Sequence, residues 1–74
     1  MTALTLHRIE PEKRMQRFYR LDVQPDLFGF WSLVREWGRI GQPGQVRLVP
    51  YPDENAAELA LAKQRQAKER RGYA

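Results

Sequence analysis

The residues best suited to chemistry lie in one run, Arg35-Glu36-Trp37-Gly38-Arg39-Ile40-Gly41. In an extended strand alternate side chains share a face, so Arg35, Trp37 and Arg39 are expected to project together, about 7 Å apart. That spacing makes a ladder of cation, indole and cation. Guanidinium groups bind phosphate through paired N–H donors, and an indole offers a flat face to a sugar or a base. Gly38, with no side chain, is expected to leave the backbone beside Trp37 open to a partner. A second reading of the same residues buries Trp37 as core against a helix and has the two arginines cover it through cation–π packing. Periodicity leaves both open.

Other chemistries lack parts. The 74 residues contain no cysteine and one histidine, His7, which excludes thiolate zinc sites and disulfides and leaves almost no ligand set for a transition metal. No catalytic residue, metal or cofactor is therefore expected. The single Ser32 falls within an expected strand, and His7 has no partner identifiable by spacing. The carboxylate pairs Glu10/Glu12 and Asp53/Glu54 fall at a turn and at a helix start, where solvation and capping account for them. Gly38, Gly41 and Gly44 recur every third residue but do not form a phosphate-cradling loop, since no helix follows them and no P-loop lysine exists.

The elements that must position the ladder follow from alternation and punctuation. Residues 4–9 read as a short strand ended by Glu10-Pro11-Glu12. Residues 14–24 alternate, with Tyr19, Leu21 and Val23 on one face and Phe18, Arg20, Asp22 and Gln24 on the other. Aromatic and β-branched residues favour a further strand over residues 30–37, and residues 46–51 return as another, its end marked by Pro50 and Pro52. Between the last two strands Gly41-Gln42-Pro43-Gly44 suits a type II turn. Closing the turn over residues 42–45 places Arg47 opposite Ile40, on the other face from Arg39. Asp53 is a good helix N-cap, and Gly72 suits a left-handed C-cap. Between them a helix is expected, with Ala56, Ala57, Ala60, Leu61 and Ala67 on one face and Leu59 at its margin. The fold class is α+β: a small antiparallel sheet of three to four strands with one C-terminal helix on one face, in a single domain over residues 1–74.

Charge sharpens the picture. The net charge is +4, but residues 63–74 hold five of the thirteen cations and one of the nine carboxylates, leaving eight of each in the remainder. The excess sits in a helix end, where the macrodipole favours cations without any partner and where the wheel shows no shared stripe for Lys68, Arg70 and Arg71. No apolar run is long enough to span a membrane and no export signal opens the chain, so a cytoplasmic protein is expected, with no membrane partner.

The run from Glu36 to Gln45 resembles the signature of the WGR domain, named for its Trp-Gly-Arg tripeptide and found in DNA-dependent poly(ADP-ribose) polymerases and in short stand-alone bacterial proteins. The aromatic strand ahead of the tripeptide, the helix after Asp53 and the Arg71-Gly72-Tyr73 close also match, so the resemblance extends from about residue 17 to residue 73. It implies a sheet with one helix, used to recognise DNA breaks and to relay binding to neighbouring domains. It also implies that Trp37 packs on sugar near a break and that Arg39 contacts DNA. Gln45 matches the glycine-turn-glutamine pattern, with a backbone-phosphate contact implied. Arg35 has no counterpart in the motif, so its role rests on the ladder. The sequence contains no ADP-ribosyltransferase fold, and polymerase activity does not follow.

The expectation is a non-enzymatic nucleic-acid-binding module that contacts DNA backbone at ends, nicks or 5′-phosphates. Trp37, Arg39 and Arg35 are its centre, Gly38 and Gln45 its neighbours, and Arg47, Lys68, Arg70 and Arg71 auxiliary phosphate contacts. The alternative is a protein-interaction or homodimerisation domain without direct DNA binding, since so small a chain could complete its core across an interface.

Overall fold

The structure, a computed structural model, describes residues 2–74. Four strands, β1 (Ala3–Glu10), β2 (Met15–Pro25), β3 (Trp31–Arg39) and β4 (Gln45–Tyr51), are followed by one helix, α1 (Glu54–Glu69). The strands form a single antiparallel sheet in the order β1-β2-β3-β4, each next to its sequence neighbour. This is the expected α+β arrangement.

Each hairpin has its own closing chemistry. Pro11–Lys13 forms a short 3-10 turn that ends in Arg14, whose φ of 51° is left-handed and whose N–H bonds to the Pro11 carbonyl. Arg14 therefore belongs to the turn, and β2 begins one residue later than alternation suggested. Between β2 and β3 the Asp26 carboxylate accepts hydrogen bonds from the backbone N–H groups of Phe28 and Phe30, which holds the tip as an Asx-type turn.

The third hairpin corrects the sequence reading. The Gln42 N–H bonds to the Arg39 carbonyl and Gly41 carries φ 85°, so the tight turn is centred on Ile40-Gly41, and Gly44 is not left-handed. As a result Arg47 lies opposite Arg35 and not opposite Ile40. That shift of five positions is odd, so it moves every β4 side chain to the other face, and Arg47 joins the side that carries Arg35 and Arg39.

Register divides the sheet into two faces. Tyr19, Leu21, Val23 and Leu33 point to the helix side and are buried together with Ala57 and Leu61. Fully burying a leucine or valine contributes about 1.5–3 kcal/mol, so Leu21, Val23 and Leu33 form the centre of stability. The helix is capped by the Asp53 side chain, which accepts from the Ala56 N–H at 2.8 Å. Its sheet-facing row runs Ala57, Leu61, Gln64, Lys68; Leu59 and Ala67 are exposed, so the expected apolar face is rotated and narrower. Alanine at its centre lets the helix axis approach the sheet closely.

The helix ends in a Schellman motif. The Tyr73 N–H bonds to the Lys68 carbonyl and the Gly72 N–H to the Glu69 carbonyl, with Gly72 at φ 92°. The chain then meets the sheet, where Ala74 and His7 exchange both backbone hydrogen bonds at 2.8 Å. This clamps Tyr73 over the end of β1 and β2.

Candidate nucleic-acid interface

The helix covers only part of its sheet face. Toward the Arg17–Arg39 end of the sheet, Tyr19, Trp37 and Tyr73 form an aromatic floor. Tyr19 and Trp37 are Cα partners on adjacent strands, and their rings stack at 5.9 Å between centroids with 15° between planes. Tyr73 meets Tyr19 edge-on at 6.1 Å. Trp37 is half-buried and packs against the core while lining two shallow grooves, so the core reading and the surface reading each describe one side of the same ring.

Cations surround this floor. Arg35 donates from Nε to the Tyr19 hydroxyl at 2.7 Å, and its guanidinium lies 5.8 Å from the ring centres of both Tyr19 and Trp37. Lys68 places its ammonium 4.4 Å from the Tyr19 ring and 5.8 Å from that of Tyr73. The burial of Lys68, with Arg71 and Arg35 nearby, lowers its pKa below the usual lysine value. Arg39 stands opposite Arg17, two like charges side by side on neighbouring strands.

Pairing separates structural cations from available ones. Arg8 and Lys13 are tied to Glu10, Arg20 to Asp22 and Glu36, and Arg65 to Glu69. Among the described residues Arg17, Arg35, Arg39, Arg47, Lys68 and Arg71 have no carboxylate within ion-pair distance. Like charges gathered without counter-charges cost free energy, and phosphate oxygens entering the cluster would relieve it.

Most residues singled out in the sequence converge here. Arg35, Trp37 and Arg39 share one face as the ladder required, and register brings Arg47 beside Arg35 and Gln45 beside Trp37. Lys68 and Arg71 line the same groove as Arg35 and Trp37, because position 68 lies two turns beyond Leu61 on the sheet-facing row. The helical wheel, which shows no shared stripe for these cations, gives no sign that two of them meet Arg35 and Trp37. Arg70 is exposed and lines neither groove. Gly38 lines one groove between Trp37 and Arg39, and on its other side a Cβ would lie 2.9 Å from the Gly44 Cα and 3.5 Å from the Phe18 ring. The space on that other side is filled by the protein's own hairpin.

Arg17, Tyr19 and Tyr73 were not singled out as site residues. The signal for Arg17 was present, since it continues the odd-numbered face of Tyr19, Leu21 and Val23 by one step. Tyr73 depends on the Schellman turn and the bridge to β1, which no periodicity announces.

Among the described residues, no cluster of His, Asp or Glu is placed to hold a metal ion, and no helix is long and apolar enough to cross a membrane. No solved structure matches the chain. An uncharacterised protein of Sinorhizobium fredii, y4dW, is 41% identical over 71 residues, an alignment that covers 95% of this chain and 34% of that protein. The chain thus spans about a third of the length of that curated relative. The model of the WGR domain matches residues 2–74, tripeptide, hairpin, helix and closing tyrosine included, and the chain belongs to the WGR domain family.

Proposed function

We propose that the protein is a non-enzymatic module that binds DNA through its backbone at ends, nicks or 5′-phosphates. The WGR family points to nucleic-acid binding in general. The observation that carries the finer reading is the group of unpaired cations around the Tyr19–Trp37 stack. Trp37 offers an indole face to a deoxyribose or a terminal base. Arg39 and Arg17 contact one phosphate, Arg35 and Lys68 another, and Arg47, Arg71 and Gln45 extend the track. Arg35 and Lys68 are already ordered against Tyr19, so less side-chain entropy is lost on binding. No row of side chains suits a base-edge code, so selectivity is for backbone geometry and not for sequence.

Titration of labelled nicked, blunt and single-stranded DNA at several salt concentrations tests this. Three to five phosphate contacts give a log–log salt slope of about −3 to −4. Trp37→Ala and Arg39→Ala are expected to weaken binding at least ten-fold, and Arg39→Ala also makes the slope shallower by about one. An absence of binding at low salt, or affinity unchanged in both variants, overturns the proposal.

A further inference from the structure

Among the described residues four have a left-handed backbone. Gly29, Gly41 and Gly72 carry φ values of 85°, 85° and 92°, which glycine reaches at no steric cost. The fourth is Arg14, at φ 51°. An L side chain in this conformation brings its Cβ against the following carbonyl oxygen, so arginine is disfavoured there relative to glycine. The hairpin imposes the conformation whatever residue occupies the position: Glu10 pairs with Met15, Pro11–Lys13 make the 3-10 turn, and position 14 must return the chain to β2. Glycine would serve the fold better, yet an arginine stands there.

The surroundings of Arg14 give that arginine a use. It is exposed, and among the described residues no carboxylate lies within ion-pair distance of it. Its neighbour Lys13, by contrast, is tied to Glu10 at 3.4 Å. Arg14 lines a shallow groove with Arg17, Arg39, Trp37 and Gly38. Lys68 and Arg71 line a different one. Arg17, Trp37 and Tyr73 line both and so mark the boundary between them. Three guanidinium groups that share a groove without counter-charge suit phosphate oxygens, which they can bind through paired N–H donors.

We propose that Arg14 binds backbone phosphate in this groove together with Arg17 and Arg39, so that bound DNA crosses the Trp37–Tyr73 boundary and is held on both sides of it. This role rests on the DNA reading proposed above. The disfavoured backbone persists because it sets a guanidinium on the groove, which a glycine cannot supply.

Arg14→Gly relieves the backbone and removes the charge, so stability and binding move in opposite directions. The midpoint of urea denaturation rises. Affinity for a nicked duplex at low salt falls about five-fold or more, and the log–log salt slope becomes shallower by about one. Arg14→Asn, which also tolerates this conformation, repeats both changes. Lys13→Ala removes an already paired charge from the same turn and groove, and lowers affinity by about two-fold at most. A lowered midpoint, an affinity unchanged by Arg14→Gly, or an equal loss in Lys13→Ala overturns the role of Arg14 and leaves the DNA reading in place. An unaltered protein that binds no DNA counts against the DNA reading itself, and the role of Arg14 falls with it.

Discussion

Arg35 donates a 2.7 Å hydrogen bond from Nε to the hydroxyl of Tyr19, a residue on the neighbouring strand whose ring is otherwise buried in the core. The core thereby fixes the orientation of a surface guanidinium. Tyr19→Phe keeps the ring and removes the acceptor. It is expected to cost about 0.5–1.5 kcal/mol in urea denaturation and to weaken DNA binding two- to five-fold as Arg35 loses its anchor. Unchanged stability together with unchanged affinity would show the bond to be inconsequential.

Gly44 is expected to tolerate no side chain. A Cβ there would run into the Trp37 carbonyl oxygen and lie 2.9 Å from the Phe18 ring, and neither the strand backbone nor a half-buried ring can withdraw freely. Gly44→Ala should destabilise by about 1–3 kcal/mol, measured by chemical denaturation. A neutral substitution would mean that the hairpin opens more readily than its packing suggests.

Lys68 couples stability to function through pH. Its pKa is lowered chiefly by burial and then by Arg71 and Arg35, so the folded state binds that proton less well than the unfolded chain. The resulting cost is full below the folded value and disappears as pH rises through the ordinary lysine range. Cation–π contact with Tyr19 offsets part of it. In an NMR titration Lys68 should deprotonate below the ordinary lysine range, and adding a duplex should move its titration back upward, because phosphate favours the ammonium. Lys68→Met should leave stability at neutral pH within about 1 kcal/mol while weakening DNA binding. A Lys68 titration at the ordinary lysine value, or one unmoved by DNA, contradicts the assignment.

Glu10 acts with the opposite sign. A hydrogen bond from Arg8, reinforced by the charges of Arg8 and Lys13, holds its carboxyl below the usual glutamate value. Its stabilising contribution is complete above the unfolded carboxylate range and is lost as pH falls through the lowered folded value. Glu10→Gln should flatten the acid limb of a stability-versus-pH curve and leave the alkaline limb as it was. Superimposable acid limbs would show that the Arg8–Glu10 pair does not respond to folding.

The parts of the fold that follow local rules could be read directly. Alternation located β2, Asp53 marked the helix start, and Gly72 marked its end. Arg47 went wrong for an identifiable reason: Gly41 and Gly44 both qualify as turn glycines, and choosing the second inverts β4. Its registration depends on the close approach of Gly44 to Gly38 and Trp37, a packing relation across the hairpin that no local propensity encodes. Lys68 was obscured because a wheel ranks faces by apolarity. A cation that ends an apolar row looks like its boundary, whereas here it continues the row onto an aromatic ring.

The paired hydrogen bonds between His7 and Ala74 tie one of the first residues of the sheet to the last residue described. Residues 3–51 supply all four strands, and Ala57 and Leu61 complete the buried centre, so the sheet and most of its packing do not require residues 73 and 74. Tyr73 and the final placement of Lys68 wait for that long loop to close. Recognition thus depends on a closure that the scaffold does not need, and a copy clipped of its last few residues would keep its core while missing one wall of the basic groove.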